Sequence, residues 1–330
     1  MAVPNIGRAL TMTMDAIAPG IADNMSNQNI LLWMIKKMGN IKPWDGGEYI
    51  RQNLRYTDDT YTGLVDSYSG MDTLALGANN GFDAARYSFA QYAAPVLISG
   101  RDMLINQGEA AVLDYLEEQI TSAKIALMDR IDYDIALDGT GNGGKNLLGL
   151  AAIVADTPTN TVGGISGSTY TWWKNQVFSG VTDGGAAVSA ANIQSYMTTL
   201  MMRLIRNQDG PDMILAGADY YQKFSESLSA IQRVTNEDKE ATGGFAALRF
   251  SGAGKNVPVI MGGGIGTHVP STKMQFLNSK YLHWRPHKSV NFTRLGGKRV
   301  PMQQDAEAYY FGWAGNLTCS GRQFQGKLVA

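Results

Sequence analysis

The feature that constrains this chain most is a long apolar stripe between residues 109 and 138. Its members recur every three or four residues, as on one face of an α-helix: Leu113, Leu116, Ile120, Ala123, Leu127, Ile131 and Ile135. At about 1.5 Å per residue the helix would span about 45 Å, which is long for a globular protein. The predicted N-terminus carries the acidic residues Glu109 and Asp114, whose negative charge interacts favourably with the positive end of the helix dipole. Gly139 lies where a C-terminal cap is expected. The pattern therefore predicts one long helix with an apolar face.

Residues 48–56 and 61–68 alternate between large and polar side chains and are joined by the polar residues 57–60. This pattern predicts a β-hairpin. Both of its faces are polar or aromatic, so it lacks an obvious core face of its own. Because an isolated two-stranded hairpin is marginal in water, we expect it to lie against another subunit.

Elsewhere the pattern is mixed. Residues 1–45 read as a polar arm containing a short apolar helix at 30–35, and residues 86–98 read as one strand. A second helix is predicted at about 189–207, followed by a buried strand at 212–216 and a helix capped by Asp219. From Val257 onward the chain is rich in strands, predicted as short segments that include 281–285, 290–294, 309–313 and 317–319. The fold class is therefore α+β.

Charge is scarce and balanced. Charged residues make up 17% of the chain, against about 25% in a typical globular protein. This suits burial in an assembly, although a well-packed monomer fits equally well. The net charge is −1, whereas tight nucleic-acid binders carry a basic face. We therefore expect weak, non-specific, salt-sensitive contact with DNA at most.

The sequence also bears on where the chain is made. The single cysteine, Cys319, excludes an internal disulfide and is expected to be a buried strand thiol. The sequence contains no run of about 18 apolar residues, so it predicts no membrane span. The N-terminus does not resemble a signal peptide. We expect a protein made in the cytosol, with no membrane partner.

The sharpest enzyme-like signal is the loop 139–145. Gly139, Gly144 and Lys145 satisfy G-x-x-x-x-G-K, and Gly139, Gly141 and Gly144 satisfy G-x-G-x-x-G. Both nucleotide motifs require a strand before the loop and a helix after it. Here a long helix comes first, and Asn146 replaces the Ser or Thr that would hold Mg²⁺. The preferred interpretation is a flexible loop at the helix exit.

Other candidate residues also favour structural roles. Residues 262–266 are predicted to form a turn. We interpret the pair Trp172 and Trp173, with Tyr170 nearby, as a packing or interface anchor rather than a ligand platform. Ordinary packing or surface positions are expected for His268, His283 and His287. A solvated helix edge is expected for Asp129, Asp132 and Asp134. The sequence thus predicts no catalytic, cofactor-binding or metal-binding residue.

The order of these elements resembles the HK97-like major capsid fold of tailed bacteriophages. Five local segments also look like phage capsid sequences, and their order along the chain carries the resemblance: 89–100, 138–141, 148–154, 161–165 and 170–173. Some members of that family join subunits through a Lys–Asn bond promoted by a Glu. No such trio can be assigned here.

The resemblance implies a named anatomy. Residues 1–45 would be the N-terminal arm and 46–84 the extended loop, or E-loop. Residues 85–140 and 288–330 would form the peripheral domain around the spine helix, at about 109–138. Residues 141–287 would be the axial domain.

The implied function is structural, not enzymatic. Copies of the chain would form pentamers and hexamers that close into an icosahedral shell around double-stranded DNA. The protein would reside in the virion and assemble in the bacterial cytoplasm, with a portal protein and scaffolding or decoration proteins as further partners. An encapsulin-type nanocompartment shell is the alternative. A phosphate-binding enzyme using the Gly139 to Lys145 loop is more remote.

Overall fold

The computed structural model describes residues 30–56, 67–73, 81–101, 109–229, 247–262, 269–297, 299 and 305–330. The helices of eight or more residues within these ranges are α1 (Ile30–Lys37), α2 (Glu109–Ala136), α3 (Ile193–Leu204) and α4 (Ala218–Ser229). The strands there are β1 (Ile50–Arg55), β2 (Phe82–Tyr87), β3 (Ala90–Ser99), β4 (Thr161–Val162), β5 (Ile165–Ser166), β6 (Gln176–Ser179), β7 (Met213–Ala216), β8 (Ala247–Gly252), β9 (Lys255–Met261), β10 (Met274–Leu277), β11 (Leu282–Arg294), β12 (Ala306–Cys319) and β13 (Gly326–Val329).

The long helix predicted from the apolar stripe is confirmed as α2, which is 28 residues long. From Ile120 onward its stripe faces the main core: Ile120, Leu127, Ile131 and Ile135 are all buried. Strands β3 and β12 contact the same helix. Between residues 119 and 136 the opposite side of α2 is exposed and includes Ile125 and Asp129. This described part of the helix therefore has one buried side and one exposed side.

The strands β11, β12 and β3 form an antiparallel three-stranded sheet in that order. The sequence predicted separate shorter strands in this region, but β11 runs through 13 residues and β12 through 14. A register shift between Pro286 and Asn291 marks a bulge in β11. A bulge interrupts the alternation of side chains between the two faces of a strand without ending the strand pairing. The sequence pattern of β11 therefore suggests two short strands where the structure has one.

The second sheet has six strands in the order β6-β13-β10-β7-β9-β8. Helices α3 and α4 cover one of its faces with a separate apolar cluster. The predicted helix near 189–207 and the buried strand near 212–216 are confirmed as α3 and β7. Asp219 does not cap α4: it lies in the first helical turn, and its carboxylate pairs with Lys223 at 2.8 Å.

Residues 288–330 were grouped together from the sequence, but the structure divides them between the two sheets. Strand β12 belongs to the three-stranded sheet, whereas the C-terminal strand β13 lies in the six-stranded sheet, parallel to β6. Such a crossing between sheets depends on pairing partners far away in the chain. The local pattern therefore gives no sign of it.

The predicted hairpin has a different partner strand. Strand β1 pairs with β2, and residues 61–66 of the expected partner segment lie outside the described residues. The predicted strand at 86–98 is in fact two strands, the end of β2 and all of β3. The expectation that the hairpin lacks a core face is wrong: Ile50, Leu54, Ala85 and Tyr87 are buried against Trp173 and its neighbours.

No helix within the described ranges has the length and apolar character needed to cross a lipid bilayer.

The two sides of α2 make a matched test of the fold. Leu127→Asp should unfold the subunit, because Leu127 is only 4% exposed and a buried unpaired charge together with lost packing costs about 5 kcal/mol. Ile125→Asp should leave it folded, since Ile125 is 52% exposed. Circular dichroism and thermal unfolding of the two variants would check this. A stable Leu127→Asp subunit would contradict the assigned helix face.

Candidate assembly surface

The 139–145 loop does not have the geometry of a phosphate cradle. It follows helix α2 rather than a strand, and residues Asn142 and Gly143 adopt left-handed φ angles of 52° and 67°. The next helical turn starts only at Leu150. Gly139 has a φ of 83°, and a Cβ there would lie 2.9 Å from the carbonyl oxygen of Leu147. The glycines therefore serve a tight, exposed helix exit.

The described histidines lie on β11. His283 is buried, with Nε2 3.1 Å from Ser320 Oγ. Burial is the main cause that lowers the pKa of His283 to about 4, and the positive charges of Lys42 and Arg285 are smaller causes in the same direction. His287 packs edge-on against Trp44 at 5.0 Å. Both fit the predicted packing role, whereas His268 lies outside the described residues.

Within the described part of the chain, no group of three or more His, Cys, Asp or Glu residues could hold a metal ion.

Cys319 is a buried strand thiol, as predicted. It lies at the end of β12, and burial raises the pKa of its thiol to about 12. The hydroxyl of Tyr87 donates to its carbonyl oxygen at 2.9 Å. A thiol with this pKa carries almost no thiolate near neutral pH and is a poor nucleophile.

Asp134 corrects the expectation that the acids of α2 form a solvated edge. It is completely buried and accepts hydrogen bonds from Tyr92 Oη at 2.7 Å and Arg130 Nε at 3.1 Å. The Tyr92 hydroxyl in turn accepts from the backbone N–H of Leu147 at 2.9 Å. The carboxylate thus ties α2 to β3 and to the chain that follows the helix exit. Asp129 is exposed, as expected.

The tryptophan pair is a packing anchor, as predicted. Trp173 is buried and donates from Nε1 to the carbonyl oxygen of Val162 at 3.0 Å. Trp172 stacks on Tyr56, with ring centroids 4.1 Å apart. The pair therefore holds the hairpin base against residues 161–175, while Tyr170 remains 44% exposed.

The two faces of the β1–β2 hairpin differ in character. Ile50 and Leu54 point into the core, whereas the opposite side is exposed. We call that side the arginine face, and its members are three cross-strand pairs: Arg51 with Arg86, Asn53 with Ala84, and Arg55 with Phe82. Other large apolar side chains exposed on this part of the chain are Tyr49, Tyr68 and Met71. Arginine and aromatic side chains, which this side of the hairpin combines, are enriched at protein interfaces.

Comparison with known structures places this architecture. A chain of the cyanophage A-1(L) capsid asymmetric unit superposes with a TM-score of 0.59 at 16% identity, covering 88% of this chain and 90% of that chain. The chain has the HK97-like capsid fold. The native GTA particle capsid gives a TM-score of 0.51 at 11% identity over 89% of each chain.

The same capsid fold also occurs outside phages among the matches. The holo-SrpI encapsulin complex from Synechococcus elongatus PCC 7942 gives a TM-score of 0.50 at 12% identity, covering 90% of this chain and 86% of that one. No family model and no curated protein matches the sequence. The structural matches to capsid and encapsulin chains confirm the α+β, HK97-like fold that the order of elements predicts.

The buried His283 predicts a specific loss of stability in acid. Its pKa is about 4 in the folded chain, against 6.5 for the free side chain. The unfolded chain therefore binds more protons between these values. The contribution of neutral His283 is fully present above about pH 6.5 and decreases by about 3 kcal/mol as the pH falls to about 4. His283→Gln should flatten that part of the profile.

Urea unfolding of unassembled subunits at several pH values measures the slope. His287→Gln is the matched control, because His287 lies on the same strand but is not buried, and it should leave the slope unchanged. Equal slopes for wild type and His283→Gln would contradict this assignment.

Proposed function

We propose that this chain is a structural shell protein, the major capsid protein of a tailed bacteriophage. Copies of it would form pentamers and hexamers that close into an icosahedral shell enclosing double-stranded DNA. The observation that carries the proposal is the capsid fold, matched over 88% of the chain with the cyanophage A-1(L) capsid. The exposed face of the β1–β2 hairpin supports it, since a shell subunit needs surfaces reserved for its neighbours.

We infer that the role is structural rather than catalytic. The capsid chains with this fold are shell components, and the nucleotide-like loop is a helix exit that lacks the strand–loop–helix context of phosphate sites. The geometry therefore gives no support to a phosphate-binding enzyme that uses Gly139 and Lys145.

The domain anatomy is part of the proposal. We assign residues 1–45 to an N-terminal arm and 46–84 to an E-loop. Helix α2 and the three-stranded sheet would form the peripheral domain, and the six-stranded sheet with α3 and α4 the axial domain. Strand β13 is assigned to the axial side because it pairs with β6 and β10.

The other partners follow from the proposed role. Such a shell would assemble in the bacterial cytoplasm and reside in the virion. It would contact a portal protein, and scaffolding or decoration proteins would be further partners. With a net charge of −1, the wall would touch packaged DNA only weakly, since phosphate binding depends on basic side chains.

An encapsulin-type nanocompartment is the second candidate. Its support is the SrpI encapsulin match, which covers as much of this chain as the phage capsid does. The two candidates differ in content: a phage shell would enclose DNA and a compartment would enclose protein.

Shell formation is the direct test. The full chain, expressed in bacteria with the phage proteins it needs, should give closed particles in negative-stain micrographs. Nuclease-resistant DNA inside them supports the phage shell, whereas a co-purifying protein cargo supports the compartment. A monodisperse small species under all assembly conditions would contradict the proposed function.

A shortened hairpin separates folding from assembly. The backbone N–H of Tyr56 donates to the carbonyl oxygen of Gly81 at 3.0 Å, so an Asn-Gly turn can replace residues 57–80 and close the hairpin. The buried base stays intact, and the subunit should remain folded by circular dichroism while failing to form stable shells. Deleting residues 48–68 is a poorer test, because it removes the buried Ile50 and Leu54. Normal particles from the shortened chain would contradict an assembly role for this loop.

A further inference from the structure

Three basic residues share one face at the edge of the three-stranded sheet. A short segment before β1 runs parallel to β11: Lys42 donates its backbone N–H to the carbonyl oxygen of Trp284 at 2.9 Å, and Ile41 is the register partner of Trp284. Ile41 and Trp284 both pack against the main core. Because side chains alternate between the two faces of an extended chain, Lys42 points to the opposite face, together with His283 and Arg285.

Two of these side chains carry buried polar atoms that have no hydrogen-bond partner. His283 is 5% exposed and its Nδ1 is unpaired, and the Nε of Arg285 is also buried and unpaired. The other ring nitrogen of His283 lies 3.1 Å from Ser320 Oγ. When that hydroxyl donates, the neutral imidazole carries its proton on Nδ1. Both buried atoms are then donors without an acceptor, which is an unfavourable arrangement.

The cluster is also cationic without being neutralised. Burial and the positive charges of Lys42 and Arg285 together lower the pKa of His283, so the two charges lie close to the imidazole. Within the described ranges, none of these three side chains forms an ion pair. Farther along β11, by contrast, Lys288 pairs with Asp45 at 2.5 Å. The cluster therefore lacks both an acceptor and a negative charge.

The donors of this cluster suit a small oxyanion. A guanidinium and an ammonium group both bind phosphate oxygens through charge-assisted hydrogen bonds, and His283 Nδ1 adds a third donor from the buried side. Lys42 is exposed and Arg285 is half-buried, so an anion can enter from solvent.

The surroundings of the cluster favour a free anion over nucleic acid. Tight DNA binding requires contacts with several phosphates along an exposed basic surface. Here Thr318, the register partner of His283 on β12, is completely buried. The sheet therefore offers no continuation of the basic face in that direction.

We propose that Lys42, His283 and Arg285 form a binding site for one free tetrahedral oxyanion, such as inorganic phosphate or sulfate. The bound anion accepts hydrogen bonds from all three groups, neutralises their charge and joins the segment that carries Lys42 to β11. The site lies within one subunit, so it does not depend on the proposed shell function. Its residues come from two distant parts of the chain, and no sequence motif marks it.

Inorganic phosphate is the probe for the first experiment, added to unassembled full-length subunits at constant ionic strength. Isothermal titration calorimetry should show one saturable site per chain. For a dissociation constant of about 1 mM, about 10 mM phosphate should raise the Tm by about 2 °C. If wild type shows no saturable binding, the proposal is wrong.

Arg285→Gln tests the assignment to these residues. The variant removes one of three neighbouring positive charges, so without phosphate it should be at least as stable as wild type. Its affinity for phosphate should fall at least about tenfold, because a charge-assisted hydrogen bond is lost. Equal phosphate affinity in wild type and Arg285→Gln would overturn the assignment.

Two further variants keep this test decisive. Lys42→Gln changes only an exposed side chain, so it should fold even if Arg285→Gln does not, and it should also weaken phosphate binding. Lys145→Gln is the matched control: it removes the same charge at an exposed position outside the cluster and should bind phosphate like wild type.

Duplex DNA distinguishes a free anion from a nucleic-acid phosphate. A fragment of about 20 base pairs, long enough to offer many phosphates, should leave phosphate binding unchanged. If this DNA raises the Tm of wild type but not of Arg285→Gln, and phosphate has no effect, the cluster binds nucleic acid and the proposal is wrong.

Discussion

The junction between the two sheets depends on one buried cation. Arg322 follows β12 and precedes β13, and its guanidinium is fully buried. It donates to the carbonyl oxygens of Ile153 at 2.6 Å and Trp173 at 3.5 Å, to Asn175 Oδ1 at 2.9 Å, and to the side chain of Asn160. Burial lowers its pKa to about 10, so it stays charged near neutral pH. Neutral acceptors from residues 152–175 therefore hold the charge, and these charge-assisted bonds fix that segment between the sheets.

The helices were predictable because their signal is local. The stripe of α2 and the apolar side of α3 are repeats of three and four residues that any pairing leaves intact. Arg322 gave no such signal, since its acceptors are backbone carbonyls and asparagine side chains about 150 to 170 positions away. Asp134 was misread for a related reason: its burial depends on Tyr92, whose hydroxyl reaches it from β3. Polar contacts with residues far away in the chain therefore determine that both side chains are buried.

The hairpin shows what the sequence could and could not predict at the candidate site. Its extended backbone was predicted, and the capsid resemblance correctly indicated the fold. Its two faces were not distinguished, because only the pairing of β1 with β2 and the packing of Ile50 and Leu54 against Trp173 decide which side is buried. Once that register is fixed, the arginines must lie on the outside. The same packing that stabilises the subunit thus exposes the charged face.

Closed assembly also requires that other surfaces stay unused. The outer edge of β11 is paired within the chain, since Lys42 and Trp44 donate backbone hydrogen bonds to Trp284 and Pro286 at 2.9 and 2.8 Å. At the opposite edge of that sheet, β3 contains Pro95, which lacks an N–H to donate. Strand-to-strand association at these edges would add copies without closure. If the chain forms the proposed shell, side-chain surfaces rather than free strand edges of this sheet would select the orientation of neighbours.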